Sequence, residues 1–255
     1  MKRVLFQIVI CLCAWVVMAG PVIAESSVTL EQGNELFNSG KFTEASDIYQ
    51  TLIDQDGANA SLLYNLGNSQ YRAGDYGRAI LSYERAKLLT PRDPDLHANL
   101  ELARKAATIF DKGKYDPRLE AVIDYLSRDE WARWVIGAAL WIGLISIGCG
   151  LVRVSRPGLR KVIAASVIVA GFIIIAGATA LYLRRDETSR GVVLTKEASV
   201  YLSPFEKAAA VGVPGAGRIV QMGEKSGGFS YVSVPGTEMR GWMRGPEVAR
   251  IIPEK

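Results

Sequence analysis

Apolar positions along the chain fall into three kinds of pattern: long uninterrupted runs, helical spacing, and strict alternation. The first run opens the sequence, "MKRVLFQIVICLCAWVVMAGPVIAESS", where Lys2-Arg3 precede an apolar stretch that ends on Val22-Ile23-Ala24. A basic start, an apolar middle and a small-residue end predict a secretory signal peptide over residues 1–24, cut after Ala24. Two further runs, 134–152 and 162–183, hold no charged residue. Each approaches the ~20 residues a helix needs to cross a ~30 Å hydrocarbon core, and they predict transmembrane helices over 131–152 and 162–183. The loop between them, 153–161, carries Arg153, Arg156, Arg160 and Lys161 and no acid. Short basic loops stay in the cytoplasm, so the hairpin is expected to place both flanking regions across the membrane, as the signal also requires. Trp131, Trp134 and Tyr182 stand where interfacial aromatics belong. Ala139 with Gly143, and Ala176 with Ala180, have the spacing of close helix contacts, although small residues are common in membrane helices generally.

Between residues 25 and 112 the spacing is helical and repeats itself. Displacing the sequence by 34 residues sets Gly33 on Gly67, Gly40 on Gly74, Phe42 on Tyr76, Ala45 on Ala79 and Tyr49 on Tyr83. In the second copy, Leu63, Leu66 and Gly67 fall on one helix, Gly74-Asp75 on a turn, and Ala79, Tyr83 and Ala86 on a second helix ended by Pro91. Gly67 and Ala79 are small where two such helices cross, and Leu66, Tyr83 and Leu89 have the spacing to fill between them. Asp95 is expected to cap the next helix. A self-match of this period and makeup resembles the tetratricopeptide family of helix–turn–helix repeats, with units at about 26–59 and 60–93. The first copy is weaker, with Gln32 and Leu52 where the family prefers leucine and alanine. "DPDLHANLELARKAATIF" then reads as a solvating cap helix that breaks at "DKGKYDP". The repeat domain is thus 25–112, and 113–130 is a linker. Two units and a cap bury little apolar surface alone, so the stack is expected to rest on the membrane-proximal helix or on a partner.

By resemblance to the tetratricopeptide family, the first helix of each unit lines a concave groove. The groove positions are then Leu30, Asn34 and Phe37 in unit one, Tyr64, Asn65, Asn68, Tyr71 and Arg72 in unit two, and Asn99 in the cap. Family members that clamp a terminal carboxylate pair such asparagines with a basic residue, and Leu30 stands where lysine would be wanted. A general peptide groove, with amides reaching backbone groups and tyrosines giving apolar contact, and asparagines that only cap or solvate helices are equal alternatives at this point.

After Arg184-Arg185 the pattern alternates with a period of two, punctuated by glycine and proline, and predicts five or six strands. A strand with Ala198, Val200 and Leu202, the segment "VPGAGRIVQMGEKSGGFSYVSV" and the closing "GWMRGPEVARI" resemble the bacterial SH3-like barrel family over residues 191–253. That resemblance puts Trp242 in the core. Tyr201, Phe205 and Tyr231 are candidates for a shallow aromatic face for peptide or cell-wall glycan, and packing explains them equally.

Composition narrows the chemistry. In 255 residues, His97 is the only histidine, so no second imidazole exists for a metal site and no serine or cysteine constellation suggests a triad. No phosphate loop of the Walker type occurs. Gly215–Gly217 is an isolated Gly-Ala-Gly, and Asp93 and Asp95 around Pro94 are helix-start residues before they are an acid/base pair. Neither an enzyme nor a cofactor is expected. Cys11 and Cys13 lie in the signal and Cys149 in an apolar run, which leaves a single buried thiol as membrane packing and no internal disulfide. A net charge of +4, falling to +2 when Lys2 and Arg3 are removed, does not suggest nucleic acid.

The order of signal peptide, tetratricopeptide units, cap, membrane hairpin and SH3-like domain resembles the E-type proteins of the Bacteroides aerotolerance (Bat) operons across essentially the whole chain. The resemblance implies a non-enzymatic scaffold in a bacterial inner membrane, two-pass, with both soluble domains in the periplasm. It also implies an envelope complex with von Willebrand A-domain membrane proteins, alongside a MoxR-type ATPase and linked to stress or oxygen tolerance. The basic loop could meet acidic membrane lipid. The alternatives are a cell-wall sensor that binds peptidoglycan through the SH3-like domain, and a periplasmic chaperone for extended chains.

Overall fold

The computed structural model describes residues 28–109, 116–151 and 156–254. The signal peptide, Cys11, Cys13, the segment 110–115 and Arg153 lie outside the described residues. Among the described residues are eight α-helices: α1 (Leu30–Asn38), α2 (Phe42–Asp56), α3 (Ala60–Arg72), α4 (Tyr76–Leu89), α5 (Pro94–Ala106), α6 (Pro117–Asp124), α7 (Arg128–Leu151) and α8 (Pro157–Leu183).

Helices α1–α5 form the repeat stack, each packed on the next. The repeat is visible in its turns. Gly40 and Gly74 both adopt positive φ, +80° and +82°, which glycine accepts without a steric cost. Each turn then closes by the same pair of backbone bonds, Lys41 N to Leu36 O with Gly40 N to Phe37 O, and Asp75 N to Gln70 O with Gly74 N to Tyr71 O. The helix crossings repeat too. A Cβ on Gly33 would stand 2.7 Å from the Tyr49 ring, and one on Gly67 would stand 2.6 Å from the Tyr83 ring. Ala45, Ala79, Tyr49, Tyr83 and Leu66 are buried, as the spacing predicts. Leu89 is not: it is 52% exposed, in the last position of α4. The α5 cap also differs from expectation. Asp93 accepts from the backbone N–H groups of Asp95 and Leu96, and Pro94 takes the first helical position, the arrangement that proline's missing donor favours.

The C-terminal region is one antiparallel sheet of seven strands: β1 (Arg190–Val193), β2 (Val200–Tyr201), β3 (Ala210–Gly212), β4 (Ile219–Ser226), β5 (Phe229–Ser233), β6 (Arg240–Arg244) and β7 (Val248–Arg250). Their order is β3-β2-β6-β5-β4-β1-β7, with β3 and β7 at the two edges. The sheet is open, whereas the sequence pattern predicts a closed barrel of five or six strands. Strands β2, β3 and β7 have two or three residues each, too few for alternation to count them. Val193, Ala198, Val200, Val220, Met222, Val232, Val234, Met243 and Val248 form the sheet's own core. Leu202 is exposed, and Trp242 is not a core residue. Gly241 and Met243 are buried and Trp242 between them is half-buried, since successive side chains of a strand point to opposite faces.

Helices α7 and α8 pack together and are long and apolar enough to cross a membrane. Only 6% and 11% of their apolar windows are buried, which distinguishes them from the core helices of a soluble domain. The seam is formed by Ala138, Ala170, Gly177 and Ala180, with Gly177 against Val135 and Trp131. The expected Ala139–Gly143 pair points elsewhere: Ala139 is exposed and Gly143 has nothing near it. Cys149, expected to be buried, is exposed on α7.

The repeat stack rests on the sheet. Val192 and Ile251 join the same buried cluster as Ile80, Leu81, Tyr83, Ala86, Leu96 and Leu100. Gly77 of α4 lies directly against the carbonyl of Leu194, leaving no space for a Cβ. Arg85 donates to the carbonyl oxygens of Ile251 (3.1 Å) and Arg250 (2.9 Å). Glu84, buried on the same helix, pairs with Arg104 of α5 at 2.5 Å. Burial alone would raise the Glu84 pKa; Arg104, Arg190 and Lys87 outweigh it and bring it down to about 2.

Two outcomes follow from this junction. Gly77→Val forces a side chain into the Leu194 backbone, and the strain should cost about 1–3 kcal/mol. Chemical denaturation of the full chain in detergent, followed by circular dichroism, measures it, and an unchanged midpoint would rule out the packed junction. Glu84 is held below its unfolded value near 4.5, so its stabilisation is complete above that pH and is lost as pH falls toward about 2. The wild type should therefore lose more thermal stability across that window than Glu84→Gln, and parallel melting curves would show that the pair contributes nothing.

Candidate functional site

The groove residues sort into three groups around the helix crossings. The first is a hydrogen-bonded chain through the second unit. Tyr83 Oη donates to Asn68 Oδ1 at 2.7 Å, Asn99 Nδ2 donates to that same oxygen at 2.9 Å, and Asn99 Nδ2 also donates to Tyr64 Oη at 2.9 Å. The Tyr64 and Tyr83 rings lie 6.2 Å apart. Three predicted residues, Tyr64, Asn68 and Asn99, are thus brought together, joining α3 to α5 across the top of α4. Burial, with Tyr64 and Tyr71 adding to it, pushes the Tyr83 phenol well above its ordinary value. Tyr83 therefore stays a proton donor and fixes Asn68 with its carbonyl oxygen inward.

The second group is the equivalent position in unit one, where Tyr49 Oη donates to Asn34 Oδ1, also at 2.7 Å. Burial raises the Tyr49 phenol too. Asn34 and Asn68 are thus locked by the same bond one repeat apart. The third group is aromatic and basic. Phe37 meets Phe42 edge-on at 5.3 Å, and the Arg72 guanidinium lies 4.4 Å from the centre of the Phe42 ring. Tyr71 packs on Tyr76 at 5.6 Å. Asn65 is half-buried and Leu30 is exposed.

Four partners were missed as site residues: Tyr49, Tyr83, Phe42 and Tyr76. The signal is in the sequence, since they are second-helix members of the 34-residue match, where Tyr83 reads as packing and the other three only as matched positions. The tyrosine hydroxyls give the asparagine amides their orientation, a role that apolar periodicity does not register.

On the sheet, Tyr201 and Tyr231 both pair in register with Trp242. The row Tyr201–Trp242–Tyr231 therefore crosses β2, β6 and β5 on one face, with Tyr231 edge-on to Trp242 at 5.5 Å and Arg244 at 5.8 Å from the Tyr201 ring. Phe205 is exposed in the loop after β2 and stands outside this row. Trp242 is the member that the core assignment concealed. A separate cleft of ≈ 670 Å³ lies at the β4–β5 hairpin, lined by Phe229, Met222, Arg85 and the Lys225–Glu254–Arg250 ion-pair chain. None of the proposed site residues lines it. His97 sits at the start of α5, its Nε2 2.7 Å from the Pro91 carbonyl oxygen, and among the described residues no group of acidic, histidine or cysteine side chains is arranged to hold a metal.

Residues 30–96 match the tetratricopeptide repeat family. The chain is also similar to the rhomboid protease GluP of Bacillus subtilis, with 32% identity over 78 residues. That match takes in 31% of this chain and 15% of the relative, so the chain spans a small part of that protein's length. No solved structure matches the chain.

The hydroxyl–amide chain generates a stability test. Asn68→Ala leaves the buried Tyr83 hydroxyl without its acceptor, at a cost of about 1–3 kcal/mol. Adding Tyr83→Phe removes the orphaned group and should recover part of that loss in a double-mutant cycle. Urea denaturation of the four proteins measures the coupling, and strictly additive losses would mean that the bond does not orient the amide.

Proposed function

We propose that this protein is a non-enzymatic membrane scaffold whose helical repeats hold an extended segment of a partner protein. The tetratricopeptide repeats of residues 30–96 support protein–protein interaction as the chain's activity. One observation carries the choice of site. Tyr49 and Tyr83 engage the carbonyl oxygens of Asn34 and Asn68 at equivalent positions, so the two Nδ2 groups remain as donors one repeat apart. Paired donors at that spacing suit the carbonyl groups of an extended chain. Arg72 and Tyr71 beside them suit an acidic or aromatic side chain.

In this reading, α7 and α8 cross a bacterial inner membrane, and residues 25–112 and 191–253 both face the periplasm, with 1–24 as the signal and 153–161 as the cytoplasmic loop. The sheet acts as an SH3-like module, and the whole belongs to a Bat/MoxR-type envelope complex with von Willebrand A-domain membrane proteins. A second reading, that of a cell-wall sensor, is favoured by the Tyr201–Trp242–Tyr231 row, an arrangement suited to stacking on glycan rings.

The test is co-purification from gently solubilised native membranes with Tyr71→Ala plus Arg72→Glu. These two side chains are chosen because neither belongs to the Tyr83–Asn68–Asn99–Tyr64 chain that holds the helices together. The folded variant should lose membrane-protein partners that accompany the wild type. If every partner stays, the groove is not the binding site, and binding of the sheet region to purified sacculi becomes the reading to pursue.

A further inference from the structure

Helix α6 presents an apolar edge that no other part of the described chain covers. Leu119 is 43% exposed and Val122 61%, and Leu126, in the bend after α6, is half-buried. The opposite edge is tied to the repeats. Asp124 Oδ2 pairs with Lys87 Nζ of α4 at 2.6 Å. Asp124 and Val122 are two residues apart, about 200° around the axis at 3.6 residues per turn, so the apolar edge faces away from the repeat stack.

The end of α6 is also fixed at one end of the hairpin. Ile123 is buried, and its carbonyl oxygen accepts from Trp131 Nε1 at 3.0 Å and from Arg184 Nη1 at 3.2 Å. Arg184 Nη1 donates to Leu126 O as well, at 2.7 Å, and its Nε donates to Glu187 at 2.9 Å. Trp131 lies in the first turn of α7, and Arg184 immediately follows α8. Exposed Trp134 and Tyr182 lie within one turn of these two contacts, with Arg185 over the Tyr182 ring at 4.1 Å. This is the makeup of a membrane–water boundary, where amphipathic aromatics and basic residues collect. Arg118, Arg128 and Arg133 in this segment are exposed, as are Asp116 and Asp129.

We infer that α6 lies in the plane of the bilayer surface, with its Leu119–Val122 edge in the boundary between headgroups and acyl chains and its Asp124 edge toward the repeats. The helix is then a lipid-binding surface, and it sets the height of the repeat stack above the membrane. A short amphipathic helix binds in this way by burying its apolar face while its charged residues remain at headgroup level. The inference rests on the reading of α7 and α8 as membrane-spanning.

The test uses the full chain with Cys11→Ser, Cys13→Ser and Cys149→Ser, reconstituted in vesicles of phosphatidylcholine and phosphatidylglycerol. An environment-sensitive fluorophore is attached to Val122→Cys, to Ile147→Cys on α7, or to Glu35→Cys on α1. All three positions are exposed, so labelling does not disturb a core. Nitroxide lipid with a shallow label should quench the probe at 122, and aqueous iodide should reach it several-fold less than it reaches 35. Nitroxide lipid with a deep label should quench the probe at 147. If 122 behaves like 35 while 147 is quenched by lipid, α6 is not in the interface and the membrane reading survives. If 122 escapes both quenchers, protein covers the edge and the inference fails. If iodide and not lipid reaches 147, the spanning reading falls, and the α6 inference falls with it.

Discussion

Helix α4 is the element on which the remaining structure depends, because it is buried on two sides at once. Gly77, Ala79, Ile80, Leu81, Ser82, Tyr83, Glu84 and Ala86 are all buried along its length. One side packs against α3, where Gly67 lets the Tyr83 ring approach the helix backbone. The other meets β1 and the residue after it, where Val192 joins the Ile80 cluster and Gly77 reaches the Leu194 carbonyl. A helix in this position needs polar residues that can be satisfied without water. Ser82 donates to Gln70 at 2.7 Å, Glu84 pairs with Arg104, and Arg85 donates to two sheet carbonyls. An unpaired group at any of these points would carry its full desolvation cost. The sheet thus supplies the apolar surface that two repeats and a cap cannot supply for themselves.

The same helix organises the groove. Tyr83 is buried for packing reasons, but its hydroxyl emerges where α3 and α5 meet, and it determines which end of the Asn68 amide faces inward. Packing and the candidate site are therefore linked through one residue. The aromatic ring is held by Gly67, and the phenol, kept protonated by burial, orients the amides. The first unit repeats this device with Gly33, Tyr49 and Asn34 but lacks a counterpart to the Asn99 bond, so its amide has one fixed contact where Asn68 has two.

Much of this was legible in the sequence, and the misses have a common cause. A fixed period exposes backbone demands, so Gly40, Gly74, Gly33 and Gly67 were readable as turns and crossings. Charge-free length exposed α7 and α8 in the same way. The junction of stack and sheet was invisible because Glu84 and Arg85 are residue types that normally mark a solvated face, and their partners lie 20 and about 165 positions away. Trp242, Leu202 and Ala139 were misassigned by a different route. Trp242 and Ala139 each lie one position from a buried neighbour, Met243 and Ala138, and a one-residue shift inverts the face of a strand or rotates a helix seam. Leu202 lies past the end of β2, whose register shifts between Val200 and Tyr201. The aromatic row on the sheet became visible only once register set Tyr201 and Tyr231 on either side of Trp242.

The attachments between the parts differ in strength, and the difference locates where the molecule can yield. Stack and sheet share a buried apolar cluster and the two bonds from Arg85 to the carbonyl oxygens of Arg250 and Ile251. The hairpin holds α6 through Arg184, which is 8% exposed and donates through Nε and Nη1, and holds the sheet through the turn before β1, where Ser189 donates to Gln221 and Arg250 to Thr188. Between the stack and the segment of α6 and the start of α7, by contrast, the links include the Lys87–Asp124 and Arg92–Glu130 pairs, whose side chains are 23–47% exposed, and a bond from Arg92 to the Tyr125 carbonyl oxygen. Solvent-exposed pairs of that kind contribute little and weaken with salt. Local opening follows the weakest contacts, so the repeats and sheet would move as one body over α6 and the hairpin.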